Sequence, residues 1–311
     1  MTTFATPEDI ARRTTAARDA AVAAGRELGL EITEGKVLYE LFSVVVHLVP
    51  SPVVVRVPTV LPFTTTPESQ ARQQRQELAV AQWLHEQRVP VVPPSPLVPR
   101  EPVLADGFSM TFWQFTEEDK SGEPDYLAQS ELAADLHKAL RGYPGELEFM
   151  ASAEPGFVSA ALERLEGLDV VAADDLARAK REWAVLGPLL SDEAEFRKRF
   201  PGVELQPIHG DSPPANVFRS TGGLLFADFE LVTYGPVEWD LGGLGSEYEA
   251  AYNRGAERNG LRTLDEDVLR FVNAVAALRV IAYLSCADQL PAMVEFMAPF
   301  LDRWRATDVY A

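Results

Sequence analysis

The chain has 311 residues and contains a single cysteine, Cys286. One thiol cannot close an internal disulfide or supply a cysteine-rich metal site, so both are excluded. Basic residues are also scarce, because 28 Lys and Arg stand against 47 Asp and Glu and leave a formal net charge of −19. Such an acidic surface repels phosphate backbones, which excludes a nucleic-acid partner bound through a basic patch.

Long hydrophobic runs are missing as well. The apolar stretches have the length of strands, well below the roughly 18 residues that a membrane-spanning helix needs. The N-terminus carries Glu8, Asp9, Arg12 and Arg13 where a signal peptide would have its apolar centre. We therefore expect a cytoplasmic protein with no membrane partner. Hydrophobic residues still make up 47% of the chain, which is enough for the cores of two lobes or domains.

The first 116 residues are expected to form a small lobe of antiparallel strands and two helices. Thr6 and Thr66 are N-caps, each followed by proline and an acid, and the helices they begin should end near Gly29 and Arg88. Alternating or β-branched residues predict four strands, at Lys36–Tyr39, Ser43–Val49, Val53–Val57 and Phe108–Phe115. A proline-rich connector follows the second helix, and an acidic loop, Glu117–Asp125, marks the lobe boundary.

Residues 117–311 are expected to form a second, mainly helical lobe. The apolar periodicity predicts helices at 126–141, 156–168, 173–190, 244–258, 265–288 and 291–305. One non-helical island, at about 203–243, interrupts them. The fold class is therefore α+β, with a small antiparallel sheet followed by a helical lobe.

Inside the island, two short apolar strands flank Gly222-Gly223, which predicts a β-hairpin. A three-residue loop pairs Ser220 with Leu224, so that Asn216 faces Asp228 with about 5 Å between their Cβ atoms. A four-residue loop would place them on opposite faces. An amide oxygen beside a carboxylate makes an oxygen-only site of the kind that suits Mg²⁺.

Asp211 precedes this pair on the loop before the hairpin. It is free to point at a third partner, such as a substrate hydroxyl. An aspartate for the acceptor hydroxyl, followed by two metal ligands for nucleotide phosphates, is the apparatus of phosphoryl transfer. The alternative is that Asp211 and Asn216 only satisfy backbone groups of the loop, as Asp and Asn often do.

These residues together resemble the aminoglycoside phosphotransferase family, whose members are small-molecule kinases with a bilobal, protein-kinase-like fold. The resemblance is strong over 205–243 and elsewhere rests on the order of the elements. It is carried by His209-Gly210-Asp211, Asn216, Asp228-Phe229-Glu230 and Gly235-Pro236 followed by Asp240-Leu241. It implies that Asp211 is the catalytic aspartate, that Asn216 and Asp228 bind Mg²⁺, and that the nucleotide is ATP, with GTP as the alternative.

The resemblance also implies roles for residues that support the loop. His209 should brace it by hydrogen bonding, and Asp240 should anchor a loop and a helix start. His137 occupies a position that supports the catalytic loop in the family. A core or surface position without this role is the alternative for His137.

In the first lobe, the family places a basic residue on a central strand, and Arg56 stands at that place here. Glu77 on the following helix is its natural partner. The alternatives are an edge-strand surface residue for Arg56 and a solvated helix residue for Glu77. Many kinases have Lys in place of Arg56, and Arg differs from Lys in reach and geometry.

The nucleotide-covering loop departs from the usual pattern, because no glycine lies between Gly35 and Val60. Ser43 is the best candidate for the turn near the phosphates. Residues 112–115 should form the hinge between the lobes, where the backbone of Gln114 and Phe115 would hydrogen-bond the adenine.

Two functions remain open from the sequence. The first is a kinase that phosphorylates a hydroxyl of a small molecule. The second is a catalytically inactive, nucleotide-binding module, which the missing Gly-rich loop favours and the intact Asp211 disfavours.

Acids near the expected acceptor cleft predict a cationic acceptor such as an amino sugar or amino alcohol. The alternative is that these acids only form part of the solvated surface. The acids are Glu230, Glu238, Glu247, Glu249, Glu117, Glu118, Asp119, Glu123 and Asp125. No pattern indicates the oligomeric state.

Overall fold

The computed structural model of the protein describes residues 4–310, which form an α+β fold. The helices are α1 (Pro7–Glu27), α2 (Pro67–Glu86), α3 (Tyr126–Leu140), α4 (Pro155–Arg164), α5 (Ala173–Ser191), α6 (Glu193–Arg199), α7 (Ser246–Asn259), α8 (Glu266–Tyr283) and α9 (Ala292–Arg305). The strands are β1 (Ile32–Glu40), β2 (Ser43–Pro50), β3 (Val53–Pro58), β4 (Val103–Ala105), β5 (Phe108–Gln114), β6 (Gln206–Ile208), β7 (Val217–Ser220), β8 (Gly223–Phe226) and β9 (Thr233–Gly235). The predicted fold class is thus confirmed.

Five strands form one antiparallel sheet in the order β1-β2-β3-β5-β4. The middle strand, β3, has the period-2 pattern of a two-sided sheet. Val53, Val55 and Val57 are fully buried and pack in a cluster with the alanines of α1. The opposite face carries Val54 and Arg56 and turns toward α2. Arg56 is therefore placed on the inner strand of the sheet, as predicted, and not at an edge.

Both N-terminal helices begin at the predicted caps. Thr6 accepts a hydrogen bond from the backbone of Asp9, whose side chain returns the contact to the Thr6 backbone. Thr66 and Ser69 form the same reciprocal pair at the start of α2. Each pair satisfies two amide donors that a helix start leaves without a partner.

The rest of the chain is mainly helical and packs around α8. By length and composition α8 with the turn after it, Glu266–Cys286, is apolar enough to cross a membrane, since its mean hydropathy is 1.6. The expectation that no stretch is long and apolar enough was wrong. Arg270 and Arg279 interrupt the apolar residues of this segment, but its mean hydropathy remains high. More than half of the segment is buried in the protein, and a core helix passes the same test. It is therefore weak evidence for a membrane span.

Some helix boundaries differ from the expectation. The helix α6 lies in a segment where none was predicted, and Asp192 caps it by accepting from two backbone amides. The ends of α4 and α8 come earlier than predicted, because the chain tightens into 3-10 turns at Leu165–Gly167 and Leu284–Cys286. Such tightening is common where the last carbonyls of a helix lack partners.

The proline-rich connector ties α2 to the hairpin of β7 and β8. The backbone of Phe226 donates to Pro90 at 2.8 Å and accepts from Val92 at 2.9 Å. The extended connector thus lies alongside β8, two residues before Asp228. This contact places the end of the hairpin beside the helix that carries Glu77.

The hairpin register differs from the predicted one. Ser220 pairs with Gly223 and Arg219 with Leu224, so the loop has two residues, Thr221 and Gly222. The predicted three-residue loop and its pairing of Ser220 with Leu224 are therefore wrong. A side-chain to backbone pair tightens the turn, because the Ser220 hydroxyl donates to the Gly223 carbonyl at 2.7 Å and accepts from the Gly222 amide.

Candidate active site

The loop that carries Asp211 is held by the buried carboxylate of Asp240. Oδ2 of Asp240 accepts from the backbone of His209 at 2.9 Å, and Oδ1 accepts from the backbone of Gly210 at 2.8 Å. Nε2 of His137 donates to Oδ2 at 2.8 Å, and Tyr252 hydrogen-bonds the other ring nitrogen of His137. Asp240 and His137 are buried, so these bonds form where water cannot compete.

Asp240 and His137 thus hold the loop by hydrogen bonds, which are the contacts that the resemblance implied, and the catalytic role of the loop stays a prediction. Asp240 does not anchor a helix start, however. It lies inside a 3-10 turn, Val237–Leu241, and α7 begins only at Ser246. Its two oxygens are fully used by the loop and by His137, so that half of the prediction is wrong.

Gly210 is a position that no other residue can take. Its φ is +86°, and a Cβ there would lie 1.7 Å from the carbonyl oxygen of Leu231. Its own carbonyl accepts a hydrogen bond from the indole of Trp239 at 2.9 Å. The close approach holds the loop against the segment after Asp228, and the neighbouring Asp211 stays exposed to the cleft.

His209 connects the loop to the hairpin. Its Nε2 donates to the carbonyl of Ala227 at 2.9 Å, directly before Asp228. The ring also lies 5.0 Å from that of Phe229. The predicted bracing by hydrogen bonding is present, and it fixes Asp211 and Asp228 relative to each other.

Asn216 lies at the end of a 3-10 turn, Pro213–Asn216, and not in the ribbon of the hairpin. Its side-chain amide donates to Oδ2 of Asp211 and to the carbonyl of Ser212, both at 3.1 Å. Because the NH₂ group is used in this way, the amide oxygen is the atom left for a ligand. The side chain therefore offers an oxygen to a cation.

Asp228 has left-handed backbone angles, φ 62° and ψ 59°, which turn it out of the direction of β8. The face-to-face argument from strand register therefore does not govern its side chain. Oδ1 of Asp228 is buried and accepts no hydrogen bond, and its nearest positive group, Nη2 of Arg56, is 3.5 Å away. A buried carboxylate oxygen without a donor fits a site for a hard cation.

Arg56 is surrounded by three carboxylates. Its Nη1 donates to both oxygens of Glu77 at 3.2 Å, and its Nη2 faces Glu230 and Asp228. The predicted pair of Arg56 and Glu77 is thus present, with Glu77 buried. Glu230 was part of the motif, but the sequence analysis assigned it to the acceptor cleft. In the structure it forms an ion pair with Arg56.

The charges of this cluster do not balance. Burial opposes the charge of Arg56, but the carboxylates of Asp228, Glu230 and Glu77 raise its pKa. Burial, together with the neighbouring acids, raises the pKa of Glu77 to about 8, although Arg56 counteracts it. The pKa of Glu230 is also raised, first by burial and then by Asp228. A further positive group would relieve this excess of negative charge.

The backbone amides of Gln114 and Phe115, expected to contact the base, make hydrogen bonds within the protein, and the binding roles of these residues and of Ser43 stay predictions. The amide of Gln114 donates to Pro93 and the amide of Phe115 to Pro52, both at 3.0 Å. The Phe115 ring stacks on His47 with 3.9 Å between centroids. These two amides are therefore occupied and cannot bind a base. The sequence did not predict these two hydrogen bonds, because no local pattern shows that the carbonyls of Pro93 and Pro52 accept from the amides at the end of β5.

Ser43 is buried at the first position of β2, so it is not in the turn itself. The turn between β1 and β2 consists of Leu41 and Phe42. The carbonyl of Phe42 accepts from Thr59 and Val60, both at 2.9 Å, and its ring packs against the core of the helical part. The turn is thus fixed in place without any glycine.

Of the acids expected around the acceptor cleft, Glu238 is not available. It is fully buried, accepts from Arg262 at 2.9 Å and from the backbone of Asp265 at 2.7 Å. Asp119 pairs with Arg219 at 3.1 Å. Within residues 4–310 no group of three or more His, Cys, Asp or Glu side chains is arranged to hold a metal ion. Asn216 and Asp228 therefore have only a partial set of ligands to offer.

Comparison with known proteins agrees with this geometry. The model of the phosphotransferase enzyme family matches residues 44–272, which is most of the chain. No curated protein sequence matches significantly.

Solved structures show the same fold at low sequence identity. The GDP and kanamycin complex of APH(2")-IIia has a TM-score of 0.62 at 14% identity, covering 92% of this chain and 97% of that one. Amicoumacin kinase hAmiN, in complex with AMP-PNP, Ca²⁺ and Ami, has a TM-score of 0.62 at 12% identity and covers 94% and 95%. A choline/ethanolamine kinase family protein from Mesorhizobium loti has a TM-score of 0.57 at 15% identity and covers 95% of both chains.

These likenesses confirm the kinase-like fold that the motifs predicted. The family match adds what fold alone cannot, since it spans both the sheet with Arg56 and the loop with Asp211. The resemblance found around residues 205–243 is therefore confirmed over a much longer part of the sequence. The chain belongs to the phosphotransferase enzyme family.

Proposed function

We propose that this phosphotransferase moves the γ-phosphate of ATP, or of GTP as the alternative, to a hydroxyl of a small molecule in the cytoplasm. Residues 1–116 would bind the nucleotide, and 117–311 would carry the catalytic loop and the acceptor site. The observation that carries the proposal is the exposed Asp211 on a loop that Asp240 holds by two backbone hydrogen bonds. A loop that only connects two strands has no need of such a buried anchor.

Asp211 orients the acceptor hydroxyl and accepts its proton as the new phosphate bond forms. Its Oδ2 is held by the Asn216 amide at 3.1 Å, which keeps the carboxylate at a fixed angle to the cleft. Positioning of this kind is most of what phosphoryl transfer requires from a protein.

The amide oxygen of Asn216 and the carboxylate of Asp228 would hold Mg²⁺. A bound Mg²⁺ neutralises charge on the phosphate oxygens. The unpartnered buried oxygen of Asp228 supports this assignment, as does the excess of carboxylates around Arg56. Arg56 would clamp phosphate oxygens through the side of its guanidinium that faces Asp228.

For the base, the backbone after β5 is the remaining candidate. Within the described residues 4–310, the amide of Thr116 makes no hydrogen bond, whereas those of Gln114 and Phe115 are used. The carbonyl of Glu117 accepts from the amide of Thr221 at 3.1 Å. We propose that the base contacts the backbone of Thr116 and the amide of Glu117, one or two residues beyond the position predicted from the sequence.

A cationic acceptor, such as an amino sugar or amino alcohol, stays part of the proposal. Glu230, Glu238 and Asp119 no longer support it, since each pairs with an arginine. If the remaining acids attract the acceptor, its KM rises several-fold between roughly 50 and 500 mM salt, while the KM for the nucleotide moves less. A neutral sugar as best substrate with a salt-independent KM would contradict this part.

The second candidate is a nucleotide-binding protein without catalysis. The rigid, glycine-free turn at Leu41 and Phe42 favours it, because a phosphate-covering loop usually needs backbone amides that glycine leaves accessible. The exposed and oriented Asp211 argues against it, since a binding module has no use for that group.

The deciding experiment is nucleotide turnover with a panel of amino alcohols, sugars and amino sugars, with and without Mg²⁺. The kinase proposal expects phosphorylated product only with Mg²⁺, and formation by Asp211→Asn that is slower by about 10²- to 10⁴-fold. Nucleotide binding with no product from any panel member would favour the binding module. Product formation by Asp211→Asn at the wild-type rate would contradict the role of Asp211.

A further inference from the structure

Trp239 is a buried residue that packs directly behind the loop of Asp211. The indole donates to the carbonyl of Gly210, the residue directly before Asp211, at 2.9 Å. The guanidinium of Arg279 lies over the same indole, 5.4 Å from its ring centroid. Arg279 on α8 thus belongs to the surroundings of the catalytic aspartate, although it is 68 positions away in the sequence.

Arg279 has few partners for a buried arginine. Its side chain is 16% exposed, and its single ion pair among the described residues, to Oε2 of Glu154, is 3.5 Å long. The hydroxyl of Tyr283 donates to the same oxygen at 2.7 Å and is the better partner. Nε of Arg279 is buried and has no hydrogen-bond partner. A guanidinium has five N–H donors, and buried donors are rarely left unpaired.

Arg178 is an arginine of similar burial whose N–H donors do make hydrogen bonds within the protein. It is 14% exposed, lies 4.3 Å from the ring of Trp304, and its Nε donates to Glu182 at 3.0 Å. Its remaining donors reach the backbone carbonyls of Arg305 and Thr307. The two arginines share burial, an aromatic face and a glutamate, yet only Arg178 has its donors filled by the protein.

The charge of Arg279 is also secured. Burial opposes it, but Tyr283 and the carboxylates of Glu154 and Asp211 raise the pKa of Arg279. A permanently charged guanidinium with free donors, placed beside the catalytic loop, is suited to a planar anion that accepts two parallel hydrogen bonds.

We infer that Arg279 binds a carboxylate of the acceptor, so that the substrate is a hydroxyl compound that also carries a carboxylate. The inference rests on the proposed function, because it takes Asp211 as the group that faces the hydroxyl. It is compatible with an amine on the same molecule, as in a hydroxylated amino acid. Arg279 is then a specificity residue, which positions the acceptor without contacting the transferred phosphoryl group.

The test uses pairs of compounds that differ in the carboxylate only. These are L-homoserine with 3-amino-1-propanol, L-serine with L-serinamide, and D-glucuronate with D-xylose. Phosphorylated product and direct binding by ligand-observed NMR are measured for each pair. The carboxylate member should be preferred, and Arg279→Gln should raise its KM about 10- to 100-fold, the loss expected for hydrogen bonds to a charged group. The KM of the partner compound and kcat should change little.

The matched control is Arg178→Gln, which removes an equally buried arginine far from Asp211 in the fold. It should leave the preference for the carboxylate unchanged. Arg279→Lys should restore part of it, because the charge returns without the paired donors.

The outcomes separate the two proposals. If carboxylates bind through Arg279 but no phosphate is transferred, carboxylate binding at Arg279 stands, whereas the kinase proposal and the role of the bound compound as an acceptor fail. If phosphate is transferred equally well to both members of each pair, the kinase proposal stands and the inference is overturned. No preference for a carboxylate in either measurement, or an equal loss in Arg178→Gln, also overturns it.

Discussion

The loop that carries Asp211 and the Arg56 cluster lie close together but are built in opposite ways. Around the loop, Asp240 has both oxygens filled by donors, and His137 and Tyr252 extend the same network. Around Arg56, three carboxylates share one guanidinium, and Oδ1 of Asp228 accepts no hydrogen bond. Asp240 and His137 are fully paired within the chain, although Nδ1 of His209 and Oγ of Ser212 on the loop have no hydrogen-bond partner, whereas the Arg56 cluster has more acceptors than donors.

This difference indicates that the loop is rigid without a ligand, whereas the Arg56 cluster is suited to binding one. A buried network whose members are all paired holds one geometry and needs nothing further. A cluster with surplus negative charge gains free energy from any cation or donor that enters it. The loop is therefore the part that keeps Asp211 in place in every state, and the cluster is the part that should respond to nucleotide and metal.

The largest expected effects are on phosphoryl transfer and nucleotide binding, and they differ between Asp211 on the loop and Asp228 in the cluster. Asp211→Asn should lower phosphoryl transfer by about 10²- to 10⁴-fold, the usual contribution of a general base, and keep nucleotide affinity within a few-fold. Asp228→Ala should abolish transfer and also weaken Mg²⁺-dependent nucleotide binding, because the remaining Asn216 is neutral. Steady-state kinetics and calorimetric nucleotide titrations measure both. Equal losses of binding and turnover in Asp211→Asn would mean that Asp211 is structural.

The next effect is on stability and concerns the loop alone. Asp240→Ala leaves two backbone amides and His137 without their acceptor in the core, which should cost about 3–5 kcal/mol of the free energy of unfolding. Urea denaturation measures it. Glu193→Ala, which removes an exposed pair with Arg197 on α6, should cost less than about 1 kcal/mol. Similar losses in the two variants would contradict the buried network.

The smallest effect concerns the cluster and depends on pH. Because folding raises the pKa of Glu77 from 4.5 to about 8, its protonated form is favoured in the folded state. The contribution of Glu77 to stability is therefore greatest below about pH 4.5 and is lost as the pH rises toward 8. The unfolding free energy of the wild type should fall relative to Glu77→Gln across that interval. A constant difference between the two proteins from pH 5 to 8 would show that Arg56 fully balances Glu77.

The sequence predicted the parts whose signal is local. The caps at Thr6 and Thr66 and the alternation of β3 depend on neighbours along the chain, and each was confirmed. The motif around Asp211 predicted the family, because several residue types at fixed spacing rarely coincide by chance. Partners for Arg56 and the loop were predicted through the resemblance, and Glu77, His137 and Asp240 lie where it implied.

The hairpin register was wrong because glycine is permitted at several positions of a tight turn. A difference of one residue in loop length changes every pair in the ribbon. The hydroxyl of Ser220 decides for the two-residue loop by bonding across it, and such a contact has no pattern in the sequence. The occupied amides of Gln114 and Phe115 escaped prediction for the same reason, since their acceptors are Pro93 and Pro52.

The sequence by itself determined the fold class and the family and predicted the candidate site residues, because periodicity, caps and spacing are properties of neighbouring residues. Only the tertiary structure decided which charges meet. It joined Glu230 to Arg56, took Glu238 out of the cleft by pairing it with Arg262, and left Arg279 with free donors beside Trp239. The physical reason is that an ion pair or an unpaired donor depends on distance and burial, and both are set by the packing of segments far apart in the chain.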